Sequence, residues 1–240
     1  MSTSVIIREV SPGVWTFSKP FARFNLFPVG GRSTAIKLKD NAVWVLASTP
    51  LTDATKAKLD ELGEVKWIVG PDAVHHLYLG EYKQSYPQAK MIGVEPLVDK
   101  KKDEFQFDGV YGRDPPNTKY GFESEIDACY FSGFVNKDVA FCHRPSKTLV
   151  LADLLFNLPA KEQYSETWSV PIIGNLGFGP NSYVHKKFVW GAGHNKEEMR
   201  RDAKTVAGWN FTTIIPCHGD VIEKDADKAW RDAYQWYLDA

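Results

Sequence analysis

The stretch FCHRPSKTLVLADLLFNLP occupies residues 141–159 and has the pattern of two strands joined by a tight turn. The first strand is predicted to end at His143, and Pro145 marks the turn. The apolar run Thr148–Ala152 is typical of a buried strand, and Asp153 follows it directly. A histidine and a carboxylate at the two ends of one hairpin predict half of a metal site.

Two further segments predict the other half of this site. VHHLYL at 74–79 contains His75 and His76, and IIPCHGD at 214–220 brings an apolar run to an end near His218. Neutral imidazole nitrogens and a carboxylate are suitable ligands for zinc or iron with one position left for water. Taken singly, each histidine also fits a hydrogen-bonded structural residue, so the prediction depends on their occurring together.

Composition indicates an ordinary folded protein and excludes several classes of function. The chain has 240 residues, 43% hydrophobic and 25% charged, with a formal net charge of -1. This balance gives no long-range attraction to phosphate backbones or anionic membranes. We therefore expect a small-molecule substrate and neither a nucleic acid nor a membrane as partner, while the oligomeric state stays open.

Cysteine usage predicts a cytoplasmic protein. The three cysteines, Cys129, Cys142 and Cys217, are an odd set without an export signal, which argues against a disulfide framework. Cys142 and Cys217 each precede a candidate ligand, and strand alternation predicts that each turns to the face opposite its histidine. They are therefore predicted to be buried thiols and not ligands.

The order of elements predicts one α/β domain that spans residues 1–240. Paired strands come first, and then helices and strands alternate. A helix capped at Thr52 or Asp53 is predicted to end at Gly63. A second helix is predicted to begin at VHHLYL, and Asn195–Gly208 and Lys224–Leu238 are further amphipathic helices. Residues 154–189 are predicted to form a long loop that shapes a binding site.

This order of parts resembles the metallo-β-lactamase superfamily, from VSPGVWTF near the start of the chain to IIPCHGDVI near its end. The resemblance is closest to a branch of small proteins that carry a His-His-Leu-Tyr-Leu segment. It implies a four-layer αββα sandwich with a metal site at the edge of the sheets. Its Asp-Thr-Gly segment corresponds to Ser48-Thr49-Pro50 in this chain.

The main motif of that family, His-x-His-x-Asp-His, is only partly kept. It corresponds to residues 71–76, where Pro71 and Ala73 replace two histidines, His75 replaces the aspartate, and His76 matches. The resemblance further implies that the remaining ligands of the family correspond to His143, Asp153 and His218. The first metal position of the family is therefore expected to be lost and the second to be rebuilt.

The resemblance implies one divalent ion held mainly by His76, Asp153 and His218, with His75 or His143 completing its ligands. Zinc is the expected metal, with iron or manganese as alternatives. The implied activity is hydrolysis of a small ester, lactone or related acyl or phosphoryl bond by a metal-activated water, with His75 or Asp153 accepting its proton. The Trp168–Trp190 loop would supply an apolar pocket. A non-catalytic binding or scaffold protein with a decayed site is the alternative.

Overall fold

The computed structural model describes residues 5–167 and 177–239, which contain two large β-sheets and one short hairpin. The larger sheet consists of β1 (Ile6–Ser11), β2 (Val14–Lys19), β5 (Gly31–Lys37), β6 (Ala42–Leu46), β7 (Glu64–Val69), β8 (Lys90–Val94) and β9 (Gly109–Tyr111), in that spatial order. The smaller sheet consists of β10 (Ile126–Tyr130), β11 (Val139–His143), β12 (Thr148–Leu151) and β13 (Thr213–Pro216). The hairpin is formed by β3 (Ala22–Arg23) and β4 (Phe27–Pro28).

The helices form two groups, one for each sheet. Helices α1 (Asp53–Leu62), α2 (Leu79–Ser85) and α3 (Glu95–Lys101) contact strands β6, β7 and β8 of the larger sheet. Helices α4 (Tyr183–Ala192), α5 (Lys196–Ala207), α6 (Ala226–Ala233) and α7 (Gln235–Leu238) contact one another, and α5 also contacts β10. In the described part of the chain, no helix has both the length and the apolar character needed to cross a membrane.

Strand alternation in the smaller sheet shows how the layers are ordered. Val139 and Phe141 on β11 point into a core shared with the larger sheet, where Trp44 is also buried. Ala140 and Cys142 on the same strand point into a second core beneath the helices, which contains Trp230. Because successive residues of a strand face opposite sides, one strand serves both cores. The predicted four-layer αββα sandwich is therefore confirmed.

Strand direction decides which side chains can meet at an edge of the sandwich. β12 and β13 run parallel, so their last residues lie together at one edge. β11 runs antiparallel to β12, with His143 paired to Thr148. The first residue of β11 therefore lies at the edge where β12 ends, and its last residue lies at the opposite edge.

Several predicted boundaries are confirmed by local hydrogen bonds. The Thr52 side chain accepts a hydrogen bond from the Thr55 amide at the start of α1, and Gly63 ends that helix. The Asn195 side chain caps α5 by accepting bonds from the first amides of the helix, and Gly208 follows its end. The three cysteines are buried and free, as expected.

Other predictions differ from the structure. Residues 74–78 are not helical, and α2 begins only at Leu79. The expected long loop at 154–189 contains the start of α4, and β3, β4 and β9 were not predicted. The helix predicted at Lys224–Leu238 is divided into α6 and α7. Trp168 and the following residues to 176 lie outside the described residues, as does that part of the predicted apolar pocket.

Candidate metal centre

Three side chains from three separate segments meet at the edge where β12 and β13 end. Asp153 follows β12, His218 follows β13, and His75 lies in the segment after β7. Two backbone hydrogen bonds place that segment beside the start of β11: the Ala73 amide donates to the Asn136 carbonyl, and the Val139 amide donates to the Pro71 carbonyl. The two sheets are therefore joined directly beside the cluster.

The cluster of His75, Asp153 and His218 is compact and largely buried. One ligand atom from each of its three residues lies within 4.8 Å of the others. The two Nε2 atoms of His75 and His218 are 3.1 Å apart. His218 Nε2 lies 3.4 Å from Asp153 Oδ1, and these two side chains are 5% and 3% exposed. Two imidazole nitrogens and one carboxylate oxygen therefore lie close enough together to bind one metal ion.

Asp72 holds His75 in this position. The Asp72 carboxylate is fully buried, and its Oδ1 accepts hydrogen bonds from the amides of Val74 and His75 at 2.8 and 2.7 Å. Its Oδ2 accepts a hydrogen bond from Nδ1 of His75 at 2.8 Å. A side chain that accepts from the amides two and three residues ahead fits a helix cap and a turn equally well, and here residues 74–78 form no helix. The contacts of Asp72 therefore fix the turn and the direction of the His75 ring.

His218 is fixed through its ring and through the turn that carries it. Its Nδ1 donates a hydrogen bond to the Gly30 carbonyl at 2.6 Å, and its ring stacks on Phe156 with 5.1 Å between centroids. The next residue, Gly219, has φ +96, and a Cβ there would overlap the Asn157 backbone. Only glycine fits this turn without strain.

Asp153 is oriented by two polar residues from the loop before β11. Asn136 donates a hydrogen bond from Nδ2 to Asp153 Oδ2 at 2.5 Å. The Asp153 amide donates to Asp138 Oδ2 at 2.7 Å. Asp153 Oδ1 is buried and accepts no hydrogen bond from the described residues. One carboxylate oxygen is therefore satisfied by the protein, while the other is left facing the imidazoles.

The charges in the cluster shift the pKa values of its members in opposite directions. Burial alone would lower the pKa of His75, but the Asp72 and Asp153 carboxylates raise it to about 10. Burial alone would raise the pKa of Asp153, yet His75 and His218 lower it to about 2. Burial and the carboxylates of Asp72 and Asp153 raise the pKa of Asp138 well above its usual value. In the absence of a metal, the two carboxylates therefore favour the protonated form of His75.

These donors fit a divalent metal ion. Because carbonyl and carboxylate oxygens only accept, Gly30 and Asp72 fix a proton on Nδ1 of each histidine. The Nε2 lone pairs then remain for a metal once the extra proton of His75 leaves. A histidine ligand whose second nitrogen donates to a carboxylate or carbonyl is the usual arrangement at protein metal sites. The unpartnered Asp153 Oδ1 supplies the negative charge.

His76, which was expected to hold the ion together with Asp153 and His218, lies outside the cluster. His75, and not His76, lies beside Asp153 and His218. The two residues are consecutive in non-helical backbone, so their side chains point in different directions. Once Asp72 orients His75 into the cluster, His76 is turned toward the cavity above it. His76 Nδ1 is buried and has no hydrogen-bond partner in residues 5–167 and 177–239.

His143 is also placed elsewhere, and its predicted role as a ligand is corrected. It ends β11, and because β11 is antiparallel to β12 it lies at the far end of the hairpin from Asp153. Its Nδ1 bonds the Ser146 hydroxyl at 2.7 Å, and its Nε2 is 3.9 Å from a carboxylate oxygen of Glu125. His143 is therefore a buried residue of the hairpin turn, and burial lowers its pKa.

A cavity of about 310 Å³ opens above the cluster. His75 and His218 belong to its lining, and the rest comes from the end of β2, the β3–β4 hairpin, the turn after β6 and residues 74–78. Phe21 stacks on His218 with 6.1 Å between ring centroids. A small molecule in this cavity would meet the two imidazoles directly.

The chain is therefore an αββα sandwich with a candidate metal-binding cluster of two imidazoles and a carboxylate at one edge. Comparison with solved structures shows that the chain has the metallo-β-lactamase fold. It is similar to a metallo-β-lactamase from Hirschia baltica at 10% identity and a TM-score of 0.62, with 98% of each chain covered. Neither a protein-family model nor a curated protein matches the sequence.

Two further structures share this fold. FIM-1, a metallo-β-lactamase from Pseudomonas aeruginosa solved in a mono-zinc form, is 13% identical with a TM-score of 0.60, covering 98% of this chain and 97% of its own. The metal-soaked flavodiiron core of Flv1 from a Synechocystis species is 14% identical with a TM-score of 0.68, covering 98% of this chain and 61% of its own. At these identities the likeness concerns the fold.

The two adjacent histidines give a direct test of the cluster. We expect His75→Ala to weaken metal binding at least about 10-fold, because it removes one of three ligands. His76→Ala is expected to leave metal content unchanged, since its side chain lies outside the cluster. Elemental analysis of both variants, purified without an affinity tag, measures this. Metal loss in His76→Ala with retention in His75→Ala would reverse the assignment.

Proposed function

We propose that the protein is a metal-dependent hydrolase of a small ester, lactone or related acyl or phosphoryl compound, with a single ion at its centre. The observation that carries this proposal is the convergence of His75 Nε2, His218 Nε2 and Asp153 Oδ1 beneath a small cavity. Zinc is the proposed ion, with iron or manganese as alternatives. Pro71 and Ala73 supply no ligand, and the described residues provide this one cluster.

A divalent ion in this position would lower the pKa of a bound water toward about 7 and polarise a carbonyl or phosphoryl oxygen. The protein's own residues do the rest. Asp72 and Gly30 keep both imidazoles oriented, and Asn136 and Asp138 keep Asp153 in place. Phe21 and Phe156 flank His218 with their rings and exclude water from its faces.

We assign proton acceptance from the attacking water to Asp153, because His75, the other candidate, would have its Nε2 on the ion and a proton on its Nδ1 and would keep no free lone pair. The lowered pKa of Asp153 leaves it a carboxylate at neutral pH. His75 is proposed as a ligand, and the Asp72 carboxylate that accepts from its Nδ1 makes the ring a stronger one.

The alternative proposal is a non-catalytic binding or scaffold protein. Pro71, Ala73 and Ser48-Thr49-Pro50 favour it, because they replace residues that the resemblance associates with hydrolysis. The buried and unpartnered Asp153 Oδ1 beside the two imidazoles supports the hydrolase, since a buried polar atom costs stability unless a ligand satisfies it.

The test combines metal content with turnover. The wild type is expected to hold about one ion per chain and to hydrolyse members of a panel of aryl esters and lactones. Chelation and His218→Ala are both expected to abolish this turnover. His143→Ala is the matched control, because it removes a buried histidine outside the cluster. A metal-loaded protein without turnover on any substrate would favour the binding protein, and two ions per chain would contradict the single-ion site.

A further inference from the structure

Outside the cluster, the side chains that line the cavity carry charge of one sign only. Its lining includes two charged side chains, Lys19 at the end of β2 and Arg23 on β3, and both are cationic. No aspartate or glutamate belongs to the described lining. This contrasts with the net charge of the chain, -1, which is nearly balanced. The positive charge is therefore concentrated at the entrance to the proposed centre.

Neither cation is neutralised by a described carboxylate. The ion pairs of the described residues include Arg8, Arg32, Arg144, Arg201 and Arg231, but not Lys19 or Arg23. The Arg23 guanidinium lies over the Phe24 ring, 5.5 Å from its centroid, which orients it without cancelling its charge.

The remaining wall is mostly apolar. Phe21 and Leu77 border the cavity and are 42% and 65% exposed, and Val74, Pro20 and Pro50 complete the apolar lining. His76 adds an imidazole whose Nδ1 has no partner among the described residues. An apolar cleft with a few directed polar groups is the usual form of a small-molecule site. Here the charged groups outside the cluster are hydrogen-bond donors.

We propose that the substrate is a small acyl compound that carries a carboxylate. Its anionic group would lie against Lys19 and Arg23, its apolar part between Phe21 and Leu77, and its reacting carbonyl above His75 and His218. The inference rests on the proposed function for the reaction and adds the chemical class of the substrate. A volume of about 310 Å³ lies at the small end of ligand sites and limits the acyl group accordingly.

Binding tests this inference without turnover. The probes are 3-phenylpropionate and its neutral isostere 3-phenylpropionamide, titrated into the metal-loaded protein and followed by calorimetry or NMR. The wild type is expected to bind the carboxylate at least about 10-fold more tightly than the amide, with an advantage that falls as salt rises. Arg23→Gln and Lys19→Gln are each expected to reduce this advantage several-fold and to leave amide binding unchanged.

Two controls separate recognition by Lys19 and Arg23 from binding of the anion by the metal. Arg113→Gln removes an exposed arginine outside the cavity lining and is expected to change nothing. Unchanged carboxylate binding in both cavity variants would mean that the metal alone holds the anion, and would overturn the inference. A different outcome is that phenylphosphonate binds more tightly than the carboxylate, with the same dependence on Arg23. That result would contradict a carboxylate on the substrate and favour a phosphoryl group.

The two proposals fail in different ways. If the protein prefers the carboxylate through Lys19 and Arg23 but hydrolyses no ester, carboxylate recognition is supported and the hydrolase proposal is contradicted. The opposite outcome is equal kcat/KM for neutral and anionic esters, with no effect of Arg23→Gln. That outcome would support the hydrolase proposal and contradict carboxylate recognition. In the expected case, Arg23→Gln raises KM for the anionic ester and leaves kcat nearly unchanged, because it removes binding remote from the reacting carbonyl.

Discussion

Asp153→Asn is expected to abolish stoichiometric metal binding, lowering the affinity at least about 100-fold, while the protein stays folded. The amide has the same shape as the carboxylate, and its oxygen can still accept the hydrogen bond from Asn136. Its nitrogen would then face His218 Nε2, where Asp153 Oδ1 now lies 3.4 Å away. A donor in that position satisfies the lone pair of the imidazole and removes the only negative ligand of the cluster.

The measurement is competition with a chromophoric chelator, together with thermal unfolding. A ligand at 100 times its Kd stabilises the folded state by about 2.7 kcal/mol, so zinc should raise the Tm of the wild type and not that of Asp153→Asn. Asp202→Asn is the matched control, since Asp202 is equally buried but pairs with Arg201 in the helical layer. Equal zinc affinity in wild type and Asp153→Asn would remove Asp153 from the ligand set.

Proton release on metal binding gives a second readout of the same site. The pKa of His75 is about 10 without metal, so its ring is protonated at neutral pH. A metal requires the unprotonated nitrogen, so the wild type should release about one proton per ion at pH 7. Apparent affinity should therefore rise with pH up to about 10. Calorimetry in two buffers of different ionisation enthalpy measures this release. The absence of proton release would contradict His75 as a ligand.

Arg32→Met is expected to destabilise the protein by about 3–5 kcal/mol, because leaving each of two buried carbonyls without its donor costs about 1–3 kcal/mol. The Arg32 side chain is fully buried on β5, and burial lowers its pKa. Its Nη1 donates to the carbonyls of Pro216 and Gly219 at 2.7 and 2.6 Å, and its Nη2 pairs with Glu162 at 3.1 Å. The two carbonyls flank His218, so the loss of these bonds would also loosen the turn that presents this ligand.

Urea unfolding of metal-free protein measures the stability effect, with an unchanged m-value expected if only the folded state is weakened. Arg144→Met is the control, because Arg144 pairs with Asp127 on the surface and is 44% exposed. That change should cost no more than about 1 kcal/mol. Arg32→Lys should fall between the two, since an ammonium keeps the charge but cannot reproduce the guanidinium geometry. Equal stability of Arg32→Met and Arg144→Met would contradict a structural role for Arg32.

Local patterns were sufficient for most of the sandwich. Apolar runs identified the strands at 42–47, 148–152 and 212–216, a side-chain cap identified the start of α1, and an amphipathic pattern identified α5. The helix predicted at 74–78 was wrong, and in its place Asp72 holds a turn by accepting hydrogen bonds from the amides of Val74 and His75. An aspartate before an apolar run fits a helix cap and a turn equally well, and only the position of His75 distinguishes them.

The sequence predicted the types of residue at the site but not all the residues that form it. Asp153, His218 and the His75/His76 pair were identified as strand-end or near-strand-end candidates. Asn136 and Asp138 were missed, because a polar loop before a strand carries no pattern of its own. His143 was included because it ends an apolar run, which is equally true of Asp153. Strand direction separates them, and direction depends on which strands pair.

The sequence by itself determined the periodicity of the elements, the helix ends and the residue types available for a metal, because these depend on neighbours along the chain. The tertiary structure decided which of those residues meet. The antiparallel pairing of β11 with β12 carries His143 away from Asp153, and the parallel pairing of β12 with β13 brings His218 beside it. Asp72 then selects His75 over His76. Contacts between residues far apart in the chain arise from packing, and local patterns do not encode them.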